Sequence, residues 1–291
     1  MNGLDKDKVI KSFNAAAATY DNAAVLQRTV SERLVERLAM IKLVPGFILD
    51  IGAGTGHSAR LLEKKYSKAK VFQLDMSYEM ALISRKNSKR FFSRQNFICG
   101  DAERLPFADA LFDLVYSSLS FQWCNDLDKC IAETTRTMNN NGFLIFATLG
   151  PDTLRELRHC WAQADDRIHI NTFIDMHDIG DALVRSGLDS VVMDVEYITM
   201  TYENCVDLMR ELKSLGAHNV NTDRHKGLTG KNTFNEMQQQ YETYRHNGKL
   251  PASFEIIYGS AWKATEKIKS RANEGVSFVP VDSIKKQKSS A

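Results

Sequence analysis

The stretch Leu49–Asp50–Ile51–Gly52–Ala53–Gly54–Thr55–Gly56 decides how the chain reads. It closes a short apolar run, Phe47 to Ile51, that has the composition of a buried strand, and it opens a helical segment from about Gly56 to Lys65. Glycines lack Cβ atoms, so the backbone at 52, 54 and 56 can turn sharply and approach a ligand closely. The helix N-terminus beyond them attracts an anionic group. The spacing is GxGxG. The dinucleotide fingerprint is GxGxxG, whose third glycine serves close helix packing around a pyrophosphate. The compact form suits a ligand without a pyrophosphate. S-adenosylmethionine fits, with its amino-acid end, sulfonium and adenosine. NAD is the alternative, and its spacing is missing here.

Short apolar strands alternate with helices on either side of this loop. After the strand at 47–51 come strands at about 71–74, 97–99, 112–117 and 142–148, the last entered through the turn Asn139–Asn140–Asn141–Gly142. Helices are expected at about 77–87 and 126–138. Such alternation implies right-handed crossovers and a doubly wound sheet. In that arrangement a ligand sits at the carboxyl ends of the strands. Asp75 closes the second strand about 20 residues after the glycines, where an acid accepts bonds from ribose hydroxyls. Gly100–Asp101–Ala102 ends the third strand, and Asp101 is placed to receive an adenine amino group. The fourth ends in Ser117–Ser118–Leu119. The expected cofactor residues are therefore Asp50, Gly52, Ala53, Gly54, Gly56, Asp75, Met76, Asp101, Ala102 and Ser117.

The 291 residues, 43% of them apolar, suffice for a large core. Net charge is +2, which makes no general case for nucleic-acid binding. Five cysteines without CxxC spacing argue against a disulfide framework or a zinc site and fit a reducing cytoplasm. The first residues are too polar for a signal peptide, and no apolar run approaches the roughly 18 residues of a membrane span. The seven histidines show no ligand spacing, so His177, His218 and His225 read as structural, with no metal expected.

Gln27 to Ile41 places Val30, Leu34, Leu38 and Ile41 on one helical stripe. After Gly150–Pro151 the texture changes. Asp152 looks like the N-cap of a helix running to about Ala162. The whole is expected to be an α/β Rossmann-like fold, a doubly wound, mostly parallel seven-stranded sheet with a helical lid. Residues 1–44 form N-terminal helices covering the cofactor and 45–150 the cofactor-binding core. Residues 151–275 form a substrate lid that carries the last two strands, at 191–202 and 254–258. Residues 276–291 read as a disordered tail.

At the glycine loop and its acids, over about residues 40 to 150, the chain resembles class I methyltransferases. Beyond the fifth strand further motifs narrow the likeness: Thr148 to Arg158 (TLGPDTLRELR), Asp175 to Leu183 (DMHDIGDAL), Leu215 to Asn219 (LGAHN), Gly227 to Lys231 (GLTGK) and Leu250–Pro251–Ala252. Over about Phe13 to Trp262 the sequence resembles the malonyl-[acyl-carrier protein] O-methyltransferase family of bacterial biotin synthesis. Mitochondrial complex I assembly factors resemble the same stretches less closely. Two other readings stand beside this one. One is an assembly or modification factor on the same fold. The other is a methyltransferase for a quinone or similar small molecule, for which no convincing base is visible.

The resemblance implies methyl transfer from S-adenosylmethionine to the free carboxylate of a malonyl thioester on acyl-carrier protein, leaving S-adenosylhomocysteine. That carboxylate is already ionised at neutral pH, so no general base is required. Catalysis reduces to holding oxygen and methyl carbon in line in a dry site. A carboxylate in a dry cleft wants a cationic partner, and Arg155 and Arg158 are the candidates. Arg158 lies nearer the apolar stripe of Leu154, Leu157 and Trp161. Tyr20, in a segment that covers the methyl donor in related enzymes, is expected to steer the substrate. Gln122 and Trp123 are expected to line the acceptor pocket. The catalytic set is thus Tyr20, Arg158 and Gln122. Arg85, Lys86, Lys89, Arg90 and Arg94 form the densest basic cluster for an acidic carrier.

Overall fold

The computed structural model describes residues 3–88, 93–217, 219–222, 227 and 229–264. The strands are β1 (Phe47–Ile51), β2 (Lys70–Asp75), β3 (Gln95–Cys99), β4 (Phe112–Ser118), β5 (Met138–Leu149), β6 (Leu188–Tyr202) and β7 (Leu250–Lys263). They form one sheet of order β3-β2-β1-β4-β5-β7-β6, in which only β7 runs antiparallel to its neighbours. The helices before β1 are α1 (Lys6–Ala16), α2 (Tyr20–Ala23) and α3 (Val25–Arg37). Between the parallel strands lie α4 (His57–Lys65), α5 (Tyr78–Asn87) and α6 (Leu127–Thr137). The later helices are α7 (Arg155–Ala164), α8 (Met176–Arg185), α9 (Cys205–Ser214) and α10 (Lys231–Glu242).

Both faces of the sheet are covered, which is why its central strands read as unbroken apolar runs. Ile48, Leu114, Tyr116, Phe143 and Ile145 pack with residues of α3, α4 and α7. Leu49, Ile51, Val115, Leu144 and Phe146 pack with residues of α6 and α8. Each fully buried Leu or Ile contributes ~1.5–3 kcal/mol. The segment expected to form a lid shares the core of the sheet. Leu157, Cys160 and Trp161 of α7 join Leu208 of α9 and Met237 and Tyr241 of α10 in the same core as Ile48.

After β1 the chain builds β2 and β3 on one side, then returns to β4 on the other. That reversal splays the connections apart at the carboxyl ends of β1 and β4 and leaves a crevice there.

The structure corrects several local expectations. The helix expected to run to Ile41 ends at Arg37 and tightens into a 3-10 turn over Leu38–Met40. Asp152 does not cap α7; Leu154, in the left-handed region at φ 55°, precedes it. The Asp152 amide instead donates to Glu255 Oε2 at 2.7 Å, so β7 shapes this turn. β6 and β7 extend well beyond their apolar segments because they pair with each other from Leu188–Lys263 to Tyr202–Leu250. Residues 276–291 lie outside the described residues.

Candidate active site

The three glycines all take positive φ, 72° at Gly52, 55° at Gly54 and 81° at Gly56, a region costly for residues with a Cβ. A Cβ on Gly52 would lie 2.2 Å from Ser120 Oγ, and one on Gly56 would lie 2.1 Å from Ser84 Oγ. At Gly54 it would meet nothing within 4 Å. Gly52 thus lets the β4 exit approach, Gly56 seats α5, and Gly54 borders open space.

That space is the crevice, floored by Ile51, Gly52, Leu74, Asp75, Ser118 and Leu119. Asp75 is held rigidly: Gly54 N–H donates to its Oδ2 and Ser77 N–H to its Oδ1, each at 2.8 Å. Each oxygen keeps a lone pair for a ligand hydroxyl. Met76, Gly100 and Ala102 continue the wall. Asp50 lies beneath the loop, 1% exposed, and among the described residues neither carboxylate oxygen has a hydrogen-bond partner. Burial, reinforced by the nearby Asp75 charge, pushes its carboxyl up to about 8. An orphaned buried carboxylate beside a glycine cradle suits a ligand that carries positive charge, as S-adenosylmethionine does in its ammonium and sulfonium.

The structure brings Gly52, Gly54, Asp75, Met76, Ala102, Tyr20 and Gln122 to one crevice. Ala53 and Gly56 shape the loop from behind. Ser118 lines the crevice while Ser117 is turned into the core. Asp101 is engaged by the N-terminal helix. Its Oδ2 accepts from Lys6 Nζ at 2.5 Å, Lys6 also reaches Glu103 at 2.7 Å, and the crevice meets Gly100 and Ala102 instead.

The N-terminal segment closes one side through Phe13, Tyr20, Leu26 and Gln27. Besides the Lys6 pairs, further contacts pin it. Ser77 Oγ donates to Asn14 Oδ1 at 2.7 Å, Thr55 Oγ1 donates to Asp21 Oδ1 at 2.6 Å, and Phe13 meets Trp123 edge-on at 5.2 Å. Burial, then the Asp75 and Asp21 charges, push the Tyr20 phenol up, so it stays a neutral donor. Gln122 is oriented by Thr148, whose Oγ1 donates to Gln122 Oε1 at 3.1 Å, and by its own bond to Leu119 O at 2.8 Å.

Arg158 does not face the crevice. Its guanidinium donates to Pro151 O, to Thr153 O at 3.1 Å and to Asn171 O at 3.4 Å. Thr153 and Asn171 are crevice walls, so Arg158 braces the site from outside. Arg155 is exposed and sits 5.7 Å from the Tyr197 ring. Among the described residues no Lys, Arg or His lines the crevice, whose ionisable carboxylates are Asp75 and Glu211. Glu211 accepts from Tyr202 Oη at 2.9 Å.

Sequence reasoning missed Ser120, Asn171, Phe173, Glu211, Leu212 and Leu215 as crevice residues. Leu208 and Leu212 of α9 and Leu215 just beyond it stand at helical spacing, a signal that marks an apolar stripe but not what it faces. Of the basic cluster, Arg85, Lys86 and Arg94 are exposed, and Lys89 and Arg90 lie outside the described residues, as do His218 and His225. His177 is exposed on α8, and no metal-holding cluster forms among the described residues. There, too, no helix is long and apolar enough to cross a membrane.

Comparison with known proteins agrees with this geometry. A family profile described as a methyltransferase domain matches residues 49–146. The YcgJ protein of Bacillus subtilis superposes with a TM-score of 0.58 at 16% identity, covering 80% of this chain and 98% of that one, which shows the shared fold. A malonyl-[acyl-carrier protein] O-methyltransferase of a Methylovorus species is 47% identical over 270 residues, 91% of each chain. That of Nitrosospira multiformis is 46% identical over 275 residues, 89% of this chain and 90% of the relative. With such identity over about nine-tenths of both chains, this chain belongs to the malonyl-[acyl-carrier protein] O-methyltransferase family of S-adenosylmethionine-dependent methyltransferases.

Proposed function

We propose that the crevice methylates the free carboxylate of a malonyl group carried as a thioester on acyl-carrier protein, in the cytoplasm. The observation that carries this is the likeness to the relatives, which extends over about nine-tenths of the chain. When bound, S-adenosylmethionine supplies a sulfonium methyl that passes to the carboxylate oxygen as the carbon–sulfur bond breaks, leaving S-adenosylhomocysteine.

The residues of this chain then have binding and positioning tasks. Asp75 holds the ribose hydroxyls, Gly54 opens the cradle, and Asp50, buried beneath the loop, adds a favourable field for positive charge in the crevice from below it. Residues 1–44 cover the donor, and the segment after 150 covers the acceptor. No proton has to be removed from the acceptor, because a carboxylate is ionised at neutral pH. Tyr20 and Gln122 offer neutral donors to the carboxylate. Its charge is balanced across the crevice by the donor's own sulfonium, which accounts for a lining without a fixed cation. Apolar walls from Phe13, Leu149, Leu154, Phe173 and Phe254 exclude water and strengthen that attraction. The resulting ester removes a charge, so a chain-elongating enzyme can bury that end, in keeping with the start of biotin synthesis that the family resemblance implies.

The test is mass spectrometry after incubation with S-adenosylmethionine and malonyl-carrier protein, malonyl-CoA or malonate. A gain of one methyl on a malonyl thioester is expected. Cofactor binding with no transfer to any malonyl compound would refute the reading.

A further inference from the structure

A second cavity lies beside the crevice, and the two share Gln122, Leu149 and Phe173 as a common wall. At its outer rim are Asn125 and Thr172, both exposed, so it leads from the surface toward the crevice. Its walls are mostly apolar. Among the polar side chains on these walls, Asn221 is the one buried without a partner among the described residues. Asn221 is 1% exposed, and among the described residues neither its amide oxygen nor its nitrogen has a hydrogen-bond partner. Leaving such a group unpaired in the interior costs stability, and native structures do so rarely.

The surroundings fix the backbone that carries this amide. Asn221 N–H donates to Asn219 Oδ1 at 3.0 Å. Val220 N–H donates to Asn171 Oδ1 at 3.2 Å, which ties the segment to a crevice wall. Asp5 N–H donates to Val220 O at 3.1 Å, and Leu4 forms a bridge with Asn221. Asn125 in turn clamps Leu4, accepting from its N–H at 2.6 Å and donating to its carbonyl at 3.1 Å. A preorganised amide, offering one acceptor and two donors in an apolar passage, matches a secondary amide with methylenes on either side.

We propose that this second cavity is the subsite for the pantetheine arm of the acceptor thioester, with Asn221 pairing with the amide nearest the thioester sulfur. The inference rests on the function proposed above. In that arm two methylenes separate sulfur from amide. A malonyl group in the crevice therefore leads its thioester past Gln122 and Phe173 and brings the amide into the adjoining cavity.

The experiment measures calorimetric affinities of the enzyme loaded with S-adenosylhomocysteine. The probes are malonyl-N-acetylcysteamine thioester, which carries that amide, and malonyl pentyl thioester, of equal length without it. The ratio of the two dissociation constants is expected to shift about tenfold against the amide compound in Asn221→Ala. That is the coupling of one hydrogen-bonded amide pair. Asn221→Leu, which fills the space, is expected to give the same shift, and the thermal midpoint of either variant should not fall. A ratio unchanged within about twofold, or no binding of either compound to the wild type, overturns the subsite. Methyl transfer with an unchanged ratio would sink the subsite alone. The expected shift without any methyl transfer would sink the function and leave the subsite standing.

Discussion

Asp50→Asn is the substitution that most directly tests the electrostatics of the cradle. The native carboxyl is buried and unpartnered, and it titrates near 8 when folded, against roughly 4 when unfolded. An acid whose folded value is raised lends stability that is whole below the unfolded value and is lost as pH rises through the folded one. At ~1.36 kcal/mol per pH unit, the loss between pH 4 and 8 reaches on the order of 5 kcal/mol. About half of it falls between pH 6 and 9. An asparagine carries no such titration. Urea unfolding of the cofactor-free protein at pH 6 and pH 9 is the assay. The wild type is expected to lose ~2–3 kcal/mol more than Asp50→Asn between them, roughly 1 M or more in midpoint at ordinary slopes. Identical pH dependence in the two proteins would show that Asp50 is either ionised throughout or partnered, and the argument for a charge-seeking cradle would fail.

Asp75→Ala removes the acceptor for the ribose and releases the amides of Gly54 and Ser77. S-adenosylhomocysteine affinity by calorimetry should fall ~100-fold or more, from the loss of charge-assisted bonds worth ~1.5–3 kcal/mol each; an unchanged affinity would remove the ribose assignment. Arg158→Met frees three backbone carbonyls on the crevice wall. Denaturant stability should fall by ~1–3 kcal/mol, and Arg158→Lys should not restore it, because an ammonium cannot reproduce the planar fork. Full stability with a raised KM for the acceptor alone would instead make Arg158 the carboxylate clamp.

Arg158 also marks the boundary of what could be read in advance. Its place beside the apolar stripe of α7 was visible from helical spacing, and Leu157 and Trp161 are buried as that spacing requires. Its targets were not, since Pro151 and Asn171 reach it only through the path of the loops around α7. Ser117 and Ser118 pose the same difficulty in a strand. Side chains alternate, and a slip of one residue exchanges core for crevice. The apolar run ending β4 does not record its parity.

What the sequence by itself determined is the local and the periodic. Three glycines at GxGxG after a buried strand dictate positive φ and an open cradle, because backbone sterics act between adjacent atoms. Apolar runs alternating with helices dictate a covered parallel sheet, and with it a crevice at the strand ends. Tertiary structure alone decided which groups meet across that crevice. The Lys6–Asp101 pair spans 95 residues, Glu255 shapes the turn at Asp152, and Glu211 and Asn171 arrive on lid segments. Those contacts follow from how whole elements pack, and packing depends on the summed shape of many distant side chains, which no short stretch of sequence encodes.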